Sequence, residues 1–218
     1  MLLKSLQCVA TSLNKSVYRK VLNDKKIPLV ICTGPAGTGK TMEACKSGML
    51  HLMEKHYEKM IITRPSVSVD ENLGYLPGDI ENKMNPWMIP IYDYIEDYCD
   101  KATLGKYMKN EVIELAPLGF VRGRTFHDTI VIADEMQNST QNQMMNLLTR
   151  IGENSKLIIT GDLNQCDLVD VTNGLQHFLL HLENYEEDYS SNIEYVQLGS
   201  DDIMRSDFTK LIINIYDQ

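Results

Sequence analysis

The octapeptide Gly34-Pro35-Ala36-Gly37-Thr38-Gly39-Lys40-Thr41 decides how this chain is read. It matches G-x-x-x-x-G-K-[ST] without a mismatch. The apolar run Ile27 to Cys32 precedes it, and a helix-compatible run begins at Met42. That is the strand, loop and helix order the motif needs in order to cradle phosphate. Glycines permit a tight turn in which successive N–H groups converge on anionic oxygens. The following helix turns its positive dipole end toward the same anion. In that geometry Lys40 reaches the β- and γ-phosphates, and the Thr41 hydroxyl holds Mg²⁺. A Gly-rich turn with a chance lysine is the plain alternative, and both the residue types and their context speak against it.

A length of 218 residues suits a single domain, read here as 1–218. The balance of 43% apolar and 23% charged residues is that of a soluble globular fold. No run of 18 apolar residues occurs, so no membrane partner is expected. Met1 to Leu6 is too short and mixed for a signal peptide. The cysteines Cys8, Cys32, Cys45, Cys99 and Cys166 are scattered and lack a C-x-x-C pair. They read as reduced thiols of a cytoplasmic protein, not as a disulfide frame or a zinc site. The net charge of −9 argues against coating nucleic acid by charge alone. Any nucleic-acid contact must use local positive charge. The six arginines are Arg19, Arg64, Arg122, Arg124, Arg150 and Arg205. They read either as phosphate-recognising forks or as ordinary surface residues.

Apolar residues recur at helical spacing over 1–26, which predicts one or two helices. Gln7 lies there, either as a solvated helical residue or as an amide reading adenine. Strands are predicted at 26–33, 60–63, 111–115, 129–133, 156–160 and 193–198. Helices are predicted from the phosphate loop to about His56, at 140–151, around 172–183 and from about Asp201 to Tyr216. Strands alternating with helices predict an α/β fold, a mostly parallel sheet with helices on both faces. Arg64-Pro65 takes the chain out of the sheet at a carboxyl end, where ligands sit in such sheets. Residues 66–110 read as an insertion. With Pro65 as entry they hold Pro77, Pro86 and Pro90, along with Gly74, Gly78 and Trp87, and a helix is predicted over Pro90 to Lys101. The insertion's aromatics suit either a core or a base-stacking platform.

Chemistry beyond binding needs further groups. The buried run Ile130-Val131-Ile132-Ala133 ends in Asp134-Glu135. Asp134 is placed to support Mg²⁺ and Glu135 to polarise an attacking water. At the tip of the next strand, Thr160-Gly161-Asp162-Leu163-Asn164-Gln165 brings a glutamine that can bond the γ-phosphate or that water. Arg205, opening the terminal helix, and Arg150, at the end of the 140–151 helix, are two candidates for stabilising charge on the γ-phosphate. Arg150 either serves the helix dipole or reaches a neighbouring subunit. His177 and His181 stand at i, i+4 spacing, which suits a metal, but no third ligand is near in sequence.

Taken in order, Gln7, Gly34–Thr41, Thr63-Arg64-Pro65, Leu73-Gly74-Tyr75-Leu76-Pro77-Gly78, Arg122-Gly123-Arg124-Thr125, Asp134-Glu135-Met136-Gln137-Asn138, Leu148-Thr149-Arg150-Ile151-Gly152 and Gly161–Gln165 resemble the PhoH family. These are ATPases named for phosphate starvation, with a core similar to that of superfamily 1 helicases. The resemblance runs through essentially the whole chain, and the L-G-Y-L-P-G and R-G-R segments are not general NTPase features. It implies ATP and Mg²⁺ as cofactors and a P-loop NTPase fold. It also implies a homo-oligomeric, often hexameric ring, and in some members RNA unwinding. Two departures stand out. Only residues 1–33 precede the loop, so the PIN-type nuclease domain of many members is not expected; a short single-domain form of this kind is often seen in bacteriophage genomes. Met136 also stands where the family usually has alanine.

The leading expectation is therefore a Mg²⁺-dependent ATPase that acts on RNA or another single strand. The rival is a nucleotide-dependent assembly module that acts on a protein partner. A small-molecule kinase is a weaker third reading, since it leaves Gly161–Gln165 and Arg205 without a role. No N-K-x-D motif is evident, which favours ATP over a guanine nucleotide.

Overall fold

The computed structural model describes residues 13–65, 89–168 and 173–203, together with residue 215. Gln7, the L-G-Y-L-P-G segment, Trp87 and Arg205 lie outside the described residues, as does nearly all of the expected terminal helix.

Six strands form one parallel sheet: β1 (Leu29–Thr33), β2 (Lys59–Arg64), β3 (Ile113–Pro117), β4 (Thr129–Ala133), β5 (Lys156–Gly161) and β6 (Ile193–Gln197). Their order across the sheet is β3-β2-β4-β5-β1-β6. The helices are α1 (Leu13–Asn23), α2 (Lys40–Met53), α3 (residues 89–96), α4 (Lys101–Lys109), α5 (Gln141–Leu148) and α6 (Gly174–Glu183). The α/β reading from the sequence is thus the observed architecture.

The central strands are continuous apolar runs because both of their faces are covered. Successive side chains point to opposite faces. Val30, Cys32, Met60, Ile62, Ile130, Ile132 and Ile158 enter one core with Tyr18, Leu22, Ala44, Met49, Ile95 and Leu104 of α1–α4. Leu29, Ile31, Ile61, Val131, Ala133, Leu157 and Ile159 enter a second core with Met144, Leu147, Leu175 and Leu182 of α5 and α6.

The strand expected at 26–33 starts at Leu29 and the helix expected to about His56 ends at Met53, and three further boundaries differ for a visible reason. The helix expected over Pro90–Lys101 stops at residue 96. A separate helix, α4, starts where the Asp100 carboxylate accepts from the Thr103 amide at 2.7 Å, an N-cap that fixes a new helix start. The strand expected at Glu111 begins at Ile113, because Glu111 takes a left-handed φ of 55° as the chain leaves α4. The helix expected to reach Ile151 ends at Leu148. The carbonyl of Arg150 accepts from the Phe126 amide at 2.8 Å, and this draws the chain out of the helix toward β4.

Two buried or half-buried charges fasten the periphery. The Lys156 ammonium, on a fully buried side chain, donates to the carbonyls of Val21, Asp24 and Ile27 at 3.0, 2.8 and 2.9 Å. It therefore ties the start of β5 to the end of α1. On β3, the Glu114 carboxylate pairs with both Arg124 and Lys59. These cations hold its pKa down to about 2, with the Arg124 hydrogen bonds foremost. A carboxyl group whose folded pKa is depressed gives stability that is present above its unfolded value, near 4.5, and is lost as the pH falls toward 2. Urea denaturation across that window should show a loss of about 1 kcal/mol that Glu114→Gln removes; the figure is discounted for solvent screening of a partly exposed group.

Candidate functional site

Strand register aligns the carboxyl ends on which the site is built. Thr33 pairs with Gly161, Ile159 with Ala133, and Ala133 with Thr63. Gly34, Asp162, Asp134 and Arg64 therefore leave the sheet along one edge. The amide of Gly34 donates to the Gly161 carbonyl at 3.2 Å, and the amide of Asp134 to the Thr63 carbonyl at 2.9 Å. β5 stands between the strand of the phosphate loop and the strand of the acidic pair, so its tip touches both.

The loop Gly34–Gly39 turns directly into α2. Gly39 is the N-cap with φ 85°, a conformation that only glycine adopts without strain. Gly34 is required for a second reason: a Cβ there would meet the Leu198 carbonyl oxygen at 2.5 Å. The Thr38 hydroxyl donates to the Pro35 carbonyl at 2.9 Å and braces the turn. The Lys40 side chain folds over the loop, and its ammonium donates to the carbonyls of Gly34 and Pro35 at 2.6 and 2.9 Å. Tyr18 of α1, fully buried, donates its hydroxyl to the Lys40 carbonyl at 3.2 Å, and burial pushes that phenol well above its ordinary pKa.

Asp134 is buried and acts as an acceptor. Its Oδ1 receives the Thr41 hydroxyl at 2.7 Å and the Thr160 hydroxyl at 2.6 Å. The phosphate loop, the acidic strand and β5 thus meet on one carboxylate oxygen. Glu135 follows with a left-handed φ of 54°, which turns its side chain out of the strand direction. Its Oε1 stands 3.8 Å from Arg64 Nη2, and its Oε2 accepts from Gln137 Nε2 at 2.5 Å.

No role for Gln137 follows from its position in the sequence. The fold makes it the hub of this end of the sheet. It is buried, its Nε2 also donates to the Gln165 carbonyl at 3.1 Å, and its Oε1 accepts from the Asp162 amide at 3.0 Å. One amide therefore joins Glu135 to the Gly161–Gln165 turn. The neighbouring Asn138 adds a second clasp, bonding Asp167 through both side-chain atoms at 2.8 Å. Gln165 joins through its main chain, and its own side chain is exposed. The sequence signal for Gln137 is an amide two positions past the acidic pair.

The remaining candidates fall elsewhere. Arg150 is bonded to Phe126, three residues ahead of β4, so it stands at the amino edge of the sheet and away from the phosphate loop of its own chain. Its Nε is buried without a hydrogen-bond partner. Arg124 is committed to Glu114 and lies over the Phe126 ring at 5.1 Å, and Arg19 is committed to Glu43. Arg122 is exposed. His177 and His181 face each other on α6 with Nε2 atoms 3.2 Å apart and are exposed. Among the described residues no helix is long and apolar enough to cross a membrane.

Comparison with known proteins identifies the family. The family model for PhoH-like proteins matches residues 8–217. The PhoH-like protein of Bacillus subtilis is 40% identical over 195 residues, covering 89% of this chain and 60% of that protein. Protein PhoH of Escherichia coli is 38% identical over 208 residues, covering 91% of this chain and 55% of that protein. The PhoH-like protein of Mycobacterium tuberculosis is 37% identical over 210 residues, covering 93% and 58%. The chain thus spans somewhat more than half the length of these relatives. Among solved structures, the Pif1 helicase of Candida albicans aligns over 97% of this chain and 44% of its own, at 16% identity and a TM-score of 0.46. With a family model matching almost end to end, and with the phosphate loop and acidic pair meeting at one edge of a parallel sheet, the chain belongs to the PhoH family of P-loop NTPase-type proteins.

Proposed function

We propose that the chain is a Mg²⁺-dependent ATPase that works as an oligomeric ring on RNA or another single strand. The observation that carries the ATPase half is the convergence of Thr41 and Thr160 on Asp134, with Glu135 held beside them by Arg64 and Gln137. Thr41 and Asp134 would hold Mg²⁺, since both offer hard oxygen donors and those donors are already adjacent. Mg²⁺ held there supplies neutralisation of charge on the phosphates.

The chain's own groups do the rest. The Lys40 ammonium exchanges its two loop carbonyls for phosphate oxygens, and the amides of Ala36–Thr41 bind the same anion. Glu135 orients and polarises the attacking water. Gln137 holds Glu135 in register with the turn at 161–165, so loss of the γ-phosphate can be passed to that turn. Gln7 remains the candidate for the adenine, and Arg205 or a neighbouring subunit's copy of Arg150 for the γ-phosphate. Gln137→Leu keeps the volume of this hub and removes its amide. Turnover should fall by about 10- to 100-fold in a steady-state phosphate-release assay, because misplacing a catalytic group by about an ångström has that effect.

The RNA half rests on the family resemblance. The acidic balance of the chain, with a sequence pI of about 5.0, is the observation that favours the rival, a nucleotide-driven module acting on a protein. Phosphate release with Mg²⁺-ATP, measured with and without single-stranded RNA at several salt concentrations, tests both. Turnover that rises with RNA supports the proposal. Turnover indifferent to every RNA supports the rival, and no turnover at all removes the ATPase reading. Native mass measured with and without ATP tests the ring.

A further inference from the structure

The end of α2 remote from the phosphate loop carries a second constellation that the ATPase chemistry does not use. α2 runs 14 residues from Lys40 to Met53, which places its last turn about 20 Å from the loop. It ends in a Schellman turn: the Lys55 amide donates to the Leu52 carbonyl at 3.0 Å and the His56 amide to the His51 carbonyl at 2.9 Å, with Lys55 at a left-handed φ of 57°. Such a turn sets the third-last helical residue beside the residue two past the cap, and apolar side chains commonly meet there. In this chain the pair is His51 and His56, and Glu54 sits at the cap between them.

The three side chains converge. His51 Nδ1 and His56 Nδ1 are 3.0 Å apart, and His56 Nδ1 is 3.3 Å from Glu54 Oε2. All three atoms lie within 4.8 Å of one another, and among the described residues no other group of three ligands does so. The tautomer of His51 follows from its other nitrogen. Nε2 is 3.2 Å from the Leu22 carbonyl, which can only accept, so Nε2 carries the proton and Nδ1 presents a lone pair. A backbone carbonyl holding the far ring nitrogen is the arrangement that commonly orients a metal-bound imidazole. His51 is buried. Two ring nitrogens and one carboxylate oxygen thus face one another. Metal–nitrogen bonds of about 2.0–2.1 Å in a tetrahedron place neighbouring ligand atoms about 3.3 Å apart, close to the two spacings seen. The carbonyl end of a helix dipole also favours a cation.

We propose that His51, Glu54 and His56 form a binding site for a zinc-like divalent transition-metal ion. The imidazole pair selects against Mg²⁺ and Ca²⁺, which prefer all-oxygen shells. The ion fastens the tail of the phosphate-loop helix to the last turn of α1 through Leu22 and to the approach to β2.

The full chain, stripped by a chelator and free of nucleotide and Mg²⁺, is titrated with Co²⁺ and then Zn²⁺. One equivalent of Co²⁺ should bind with the intense visible bands of a tetrahedral nitrogen-containing shell, which an oxygen-only site does not give, and Zn²⁺ should displace it. His56→Ala should abolish the bands. Glu54→Gln, at a side chain 61% exposed and so tolerated by the fold, should weaken binding by at least about tenfold. His177→Ala, which breaks the exposed pair on α6, should change nothing. The proposal is overturned if the wild-type chain gives no such bands, if the bands survive His56→Ala, or if they vanish with His177→Ala. Should His56→Ala lose its far-ultraviolet dichroism, unaltered affinity in Glu54→Gln overturns it alone.

Discussion

Glu135→Gln should hydrolyse ATP about 100- to 10,000-fold more slowly than the wild type, the range a positioned general base contributes, while still binding nucleotide. The substitution is close to isosteric. Its amide oxygen can still accept from Gln137, so the hub at the end of the sheet stays assembled. What disappears is the carboxylate charge beside Arg64, a half-exposed pair at 3.8 Å whose loss has little effect on stability. Stability and activity therefore separate in this variant. Single-turnover phosphate release and binding of a fluorescent ATP analogue, measured on the same preparation, provide the check. Full turnover would remove Glu135 from the role given to it. Lost nucleotide binding would place it in the cradle instead.

Lys156→Met should destabilise the fold by about 2–4 kcal/mol. The side chain is fully buried, and its three protons meet three main-chain carbonyls in the last turn of α1 and the segment after it. Burial lowers its pKa to about 8, so at pH 7 it is an ammonium held by those acceptors. Methionine fits the volume but offers no donor. An unsatisfied buried acceptor costs about 1–3 kcal/mol, and relief from burying the charge offsets part of the loss. Guanidinium unfolding at pH 7 measures the difference. A change below about 0.5 kcal/mol would mean that water reaches those carbonyls once the ammonium is gone. Because α1 also supplies Tyr18 to the phosphate-loop helix, the variant should lower nucleotide affinity as well.

Much of the site was legible in order of sequence because each part is local. A phosphate cradle needs glycines, a lysine and a threonine within eight positions, and an acidic pair at a strand tip needs only an apolar run before it. The apolar runs of β1, β4 and β5 likewise announce strands buried on both faces. Boundaries were legible only where the chain carries its own stop. The end of β1 at the loop and the cap of α5 at Thr140 do so, whereas the end of α5 is decided by Phe126, which lies 24 positions before Arg150 and takes its carbonyl.

By itself, then, the sequence determined that this chain builds a parallel α/β sheet around a phosphate loop, with an acidic pair at a second strand's tip. Short-range geometry and the burial of apolar runs demand that much. Only the tertiary structure decided which groups meet. Insertion of β5 between β1 and β4 brings Thr160 to Asp134 and gives Gln137 its hub. The turn after α2 sets His56 against His51. Strand order and turn handedness bring together side chains that no spacing along the chain relates, and hydrogen bonds of about 3 Å are made or missed on that placement.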